Sequence, residues 1–145
     1  MRYIKQAENY MLRLDVGEFF VGSITEFAAA QNITSGELRA IGAIKDFELG
    51  YYLIKEKEYV RKKYEVNAEI VSVIGNLAIR DAKPFAHIHI AAGLADFSVV
   101  GGHLFEGIVS ATAEITVTPW PVRMDRKFDD NTGLFLLDLS CGETA

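Results

Sequence analysis

One change of period governs what this chain can fold into. Through Leu14 the residues follow strand patterning; after the Asp15-Val16-Gly17 turn, Phe20, Ile24, Phe27 and Ala28 recur at helical spacing, and Asn32 to Gly36 supplies a stop. Tyr3 to Leu14 therefore reads as one strand and Glu18 to Gln31 as one amphipathic helix. From Glu37 onward the helical period does not return. The segments "LRAIGAIKDFELGYYL", "EYVRKKYEV", "AEIVSVIGNLAIR", "FAHIHIAAGL", "ATAEITVTPW" and "LFLLDLS" each have strand length. Turn signals fall at Gly50, Asn67, Asp81 to Pro84, Ala92 to Phe97, Pro119 to Pro121 and Asp129 to Gly133. A helix followed by many strands predicts an α+β fold, a largely antiparallel sheet with the helix lying on it.

The chain has 145 residues, 50% of them hydrophobic, which is enough for one core and one domain over residues 1–145. No repeat, low-complexity tract or linker-like stretch divides it. Its single cysteine, Cys141, excludes an intrachain disulfide and a thiol metal cluster, in keeping with a reducing cytoplasm. The N-terminal residues scatter charge through their apolar positions, unlike a signal peptide or a membrane span, so a cytoplasmic protein without a membrane partner is expected. The net charge of −5 argues against phosphate-backbone binding. The one basic stretch, Lys55 to Glu65, alternates Lys and Arg with Glu, as a solvated hairpin does.

All three histidines lie within the window "HIHIAAGLADFSVVGGHL", from His87 to Leu104. On a strand, residues i and i+2 face the same way, so His87 and His89 project together with Cα atoms about 6.6 Å apart. His103 is the only histidine left to join them, and Gly93, Gly101 and Gly102 allow a turn and a close return of the backbone. Three neutral imidazoles with an open fourth position suit zinc, and nickel, copper or iron also accept that set. An ion with an open position would bring hydrolysis within reach. The alternative stays open that His-x-His supplies hydrogen-bonded histidines at a sheet surface or a subunit contact. Arg39 and Arg80, in apolar strand contexts, fit an intersubunit salt bridge or anion binding equally well. Phosphate-loop, nucleophile and dinucleotide motifs are absent, so no residue names a substrate.

The motifs "HIHIAAGL", "GGHLFEG" and "ATAEITV", in that order, resemble the plants-and-prokaryotes-conserved (PPC) domain. The upstream segments "MLRLDVGEFFVGSITEFAAAQNI", "IGAIKDFELGYY" and "YEVNAEIVSVIGNLA" resemble the family's opening strand, helix and following strands. The likeness runs from about Tyr10 to Leu139. It implies a strongly bent antiparallel sheet with one main helix packed on it, assembled as a homotrimer. It implies His87, His89 and His103 as ligands of a divalent metal ion, with zinc the first choice. Glu114, Asn76 and Glu106 become candidates for supporting the ligands or touching a small-molecule ligand. Lys63, Tyr64 and Glu65 stand where plant relatives carry a partner-binding motif, although Lys63 replaces an arginine. The family's DNA-binding label reaches this chain without an AT-hook, the minor-groove element of the plant proteins. Three readings follow from the resemblance: a metal-binding trimer, with or without hydrolase or lyase activity on a small molecule; a DNA-associated regulator, which the charge disfavours; and a partner-binding module.

Overall fold

A computed structural model describes residues 1–140. These form β1 (Arg2–Gln6), β2 (Asn9–Leu14), α1 (Phe20–Ala30), β3 (Gly36–Leu53), β4 (Glu58–Arg80), β5 (Lys83–Gly93), β6 (Val99–Pro119), β7 (Asp125–Asp129) and β8 (Leu134–Asp138). The strands make one sheet in the order β1-β2-β6-β3-β4-β7-β8, and β5 pairs with both β4 and β6. Since β3 also joins β4 to β6, strands β3, β4, β5 and β6 close a hydrogen-bonded ring. The strand pairings are antiparallel apart from a bridge of β4 to β7 at Ile79 and Asp125. This is the expected α+β class. Cys141 lies outside the described residues.

The ring is possible because its long strands bend. β3, β4 and β6 run for 18, 23 and 21 residues, and irregularities break their register between Ala40 and Gly42 and between Lys45 and Phe47. Gly42, with φ +144°, has no room for a side chain, because a Cβ there would strike the Thr112 carbonyl oxygen of β6. Gly50 and Asn67, read as turns, are interior to β3 and β4. The two segments on either side of Asn67 are a single bent strand. The stretch read as one strand, Tyr3 to Leu14, is instead the β1–β2 hairpin. Its turn places Ala7 at φ 52°, a conformation usually signalled by glycine, so the sequence carried no warning of it.

Helix α1 lies across β5 and β6 and buries Phe20, Ile24, Phe27 and Ala28, the stripe its periodicity predicts, into a core shared with Leu12, Leu14, Phe47, Ile88 and Leu104. It is shorter than Glu18 to Gln31 because Phe19 is extended and the Glu18 carboxylate turns back to the Asp15 amide. At its other end Asn32 takes a left-handed conformation, and the Ile33 amide donates to the Ala28 carbonyl. No side chain of the N-terminal turn caps the helix. The cap comes from β6: Glu106 accepts hydrogen bonds from the amides of Val21 (2.8 Å) and Gly22 (3.0 Å). A carboxylate there satisfies two orphan donors and opposes the positive end of the helix dipole. Replacing it by alanine should therefore lower stability by about 1–2 kcal/mol, read as a shifted midpoint in urea denaturation, while Glu106→Gln should retain part of the loss.

Candidate metal centre

The sheet itself brings the histidines together. On β5, His87 and His89 alternate with the buried Ala86, Ile88 and Ile90, so both imidazoles leave the core by the same face. The pairing of β5 with β6 sets His103 directly opposite His89. Ring centroids are 5.1 Å apart for His87 and His89, 5.2 Å for His87 and His103, and 5.6 Å for His89 and His103. One ligand nitrogen from each of the three falls within 4.8 Å of the others. The return to His103 does not turn at the diglycine. It turns at Leu94 to Ser98, closed by the Leu94–Ser98 amide–carbonyl bond, while Gly101 and Gly102 sit inside the ladder. A Cβ on Gly102 would stand 2.8 Å from the Gly50 carbonyl oxygen, so the second glycine lets β6 approach β3.

His87 and His103 are half-buried and His89 is exposed. Burial, followed by the Arg126 charge and His89, holds His87 down to about 4. Burial also holds His103 down to about 4, assisted by His87, His89, Arg126 and Arg61. Both imidazoles are thus neutral at pH 7, the form that can donate a lone pair. The His103 Nδ1 atom is buried without a hydrogen-bond partner among the described residues. A buried polar atom left unsatisfied is costly, and a cation is one group that would satisfy it.

A cavity of about 310 Å³ opens beside His87 and His103. Arg126 reaches it from β7, where Nη1 donates to the Phe135 carbonyl (2.9 Å) and Nη2 to Asn76 Oδ1 (2.7 Å). Asn76, opposite His87 in the β4–β5 register, therefore orients this arginine beside the histidines. The other candidates are distributed differently. Glu106, three residues beyond His103, spends its carboxylate on the helix. Glu114, eleven residues beyond His103 on the same strand, is exposed and pairs with Arg13 and Ile41. Lys63 and Glu65 are exposed on β4, and Tyr64 stacks on Phe47 at 5.0 Å with a 7° interplanar angle. Reading the sequence missed Arg126 and Tyr59. Tyr59 packs on His103 at 5.3 Å, and burial raises its hydroxyl pKa.

Solved structures share this fold over most of the chain. A metal-containing protein from Archaeoglobus fulgidus is 39% identical with a TM-score of 0.84, across 91% of this chain and 94% of that one. A plant- and prokaryote-conserved protein from Pyrococcus horikoshii is 30% identical with a TM-score of 0.82, across 93% of each chain. A protein from Bacteroides thetaiotaomicron with a provisional DNA-binding designation is 28% identical with a TM-score of 0.91, across 94% of this chain and 96% of that one. No curated protein matches the sequence. Residues 1–121, which carry the histidine window, the bent strands and the helix, match the Plants and Prokaryotes Conserved (PCC) domain, and the chain belongs to that family.

Proposed function

We propose that this chain is a metal-binding protein, a single PCC domain over residues 1–145 that holds a divalent ion through His87, His89 and His103. The observation that carries the reading is the convergence of all the chain's imidazoles, two of them kept neutral by burial, with a buried His103 Nδ1 atom that has no hydrogen-bond partner among the described residues. The ligand set suits zinc. The metal-containing relative from Archaeoglobus fulgidus supports the same reading. Bound zinc supplies Lewis acidity, the basis for hydrolase or lyase chemistry on a small molecule. In that case Asn76 positions Arg126, and Arg126 supplies positive charge at the cavity wall. The provisional DNA-binding designation of a relative is weighed against a net charge of −5, and the basic stretch is internally engaged: Arg61 pairs with Glu48 at 2.9 Å and lies 3.8 Å over the Phe105 ring.

The domain is proposed to act as a homotrimer. Ile41, Ile74 and Met11 are exposed around one shallow depression of the sheet, and Val71, Phe97 and Val99 around another. Exposed large apolar side chains grouped in this way suit subunit contact. Light scattering should give about three chain masses for the wild type and a smaller assembly for Ile74→Asp.

Purified protein should carry about one first-row divalent ion per chain by mass spectrometry, and His89→Ala, exposed and outside the core, should lose it without unfolding. A wild type purified without chelators that holds no metal would falsify the reading.

The metal-free protein should also lose stability in mild acid. An unfolded imidazole takes up a proton near ~6.5, whereas His87 and His103 resist protonation until about 4. Stability is therefore full above ~6.5, declines as the pH falls towards 4, and levels off below it. Urea midpoints of chelator-treated protein across that range measure the slope, and His87→Gln should flatten it.

A further inference from the structure

We infer that the cavity beside the histidines receives a small organic acid, its carboxylate held by Arg126 and Arg80 and its apolar body lying against Phe85, Phe105 and Phe135. The argument begins with charge. Acids outnumber bases by 20 to 15 in this chain, yet among the described residues no acidic side chain lines this cavity, while two guanidinium groups do. Both stand over one ring: Arg80 Cζ lies 4.1 Å and Arg126 Cζ 5.4 Å from the Phe85 centroid. Like charges held together repel, and the repulsion grows as the site loses water. Among the described carboxylates Arg80 pairs with the exposed Asp81 alone, at 3.7 Å, a contact too solvated to offset it.

Arg126 is the sharper case. It is half-buried, it makes no ion pair with a described carboxylate, and its hydrogen bonds go to two neutral oxygens. Its Nε is buried without a partner among the described residues. A guanidinium offers a fork of donors matched to a carboxylate, and such charge-assisted pairs are about twice as strong as neutral ones. At about 310 Å³ the cavity is at the small end of ligand sites, so the acid is compact. The β7–β8 hairpin, which contributes Arg126 and Phe135, lies beyond the residues that match the family, so this wall is not part of the matched PCC pattern.

The inference deepens the metal-centre reading, on which it rests only for placing the acid next to His87 and His103. Zinc-loaded protein is titrated calorimetrically with benzoate and with its neutral counterpart benzamide. Benzoate should bind about tenfold or more tighter, the worth of one charge-assisted pair. Arg126→Gln should weaken benzoate by about the same factor and leave benzamide within about twofold. Because Arg126 also braces Asn76 and the Phe135 carbonyl, Arg80→Gln serves as a second variant whose fold does not depend on those bonds. Equal affinities for the two probes, no saturable benzoate binding, or unchanged benzoate affinity in both variants overturns the inference. The two readings fail separately. If His89→Ala keeps its metal while the arginine dependence holds, the metal reading falls and this one stands; metal bound through the histidines without arginine dependence does the reverse.

Discussion

The pairing of β5 with β6 is the contact on which the rest of the molecule depends. It converts a run of neighbouring strands into a closed ring, and the same register puts His103 across from His89. Closing the ring removes exposed edges from β3 to β6, whose backbone groups are then paired on both sides over much of their length. It also fixes the helix. Glu106, three residues along β6 from His103, caps α1, so the strand that supplies the third imidazole also anchors the main hydrophobic cover of the core.

What the sequence made legible follows from range. The helix was readable because Phe20, Ile24, Phe27 and Ala28 repeat within two turns, and its end because Asn32 tolerates a left-handed backbone. His87 and His89 were readable because alternation on a strand is local. Features that rest on distant pairing were not. Gly50 and Asn67 carry the composition of turns, but β3 and β4 continue through them because each has a partner strand on the far side of the bend. Ala7 turns the chain without glycine. Arg126 is 37 residues from His89, and it reaches the site only because β7 touches β4 at Ile79, where the Ile79 amide donates to the Met124 carbonyl at 2.8 Å. Arg80, whose context allowed either a salt bridge or anion binding, stands at the cavity, and its ion pair among the described residues is a long, exposed one to Asp81.

The electrostatics of the region are coherent once these pieces are assembled. Positive charge from Arg126 and burial both act on His87 and His103 in the same direction, against protonation. Burial and Arg80 in turn lower the pKa of Arg126, although an arginine stays charged under any ordinary condition. Burial above all, with a cationic wall in support, therefore keeps the neighbouring imidazoles free to donate lone pairs. Two carboxylates on the ring strands are engaged elsewhere, Glu106 on the helix and Glu48 on Arg61.

This arrangement constrains chemistry more than a histidine triad alone would. An ion held by three neutral imidazoles keeps its full positive charge, unlike one bound by carboxylates or thiolates. Set beside two guanidinium groups, it would give the cavity a concentration of positive charge in a protein that is acidic as a whole. Such a site selects for anions by long-range attraction and for compact ones by its walls of Phe85, Phe105 and Phe135. The polyanionic backbone of a nucleic acid fits that description poorly, because its charge is spread along a surface that the rest of this chain repels. The direction of the local field, opposite in sign to the net charge, points to a small acid in a pocket rather than to a duplex on a face.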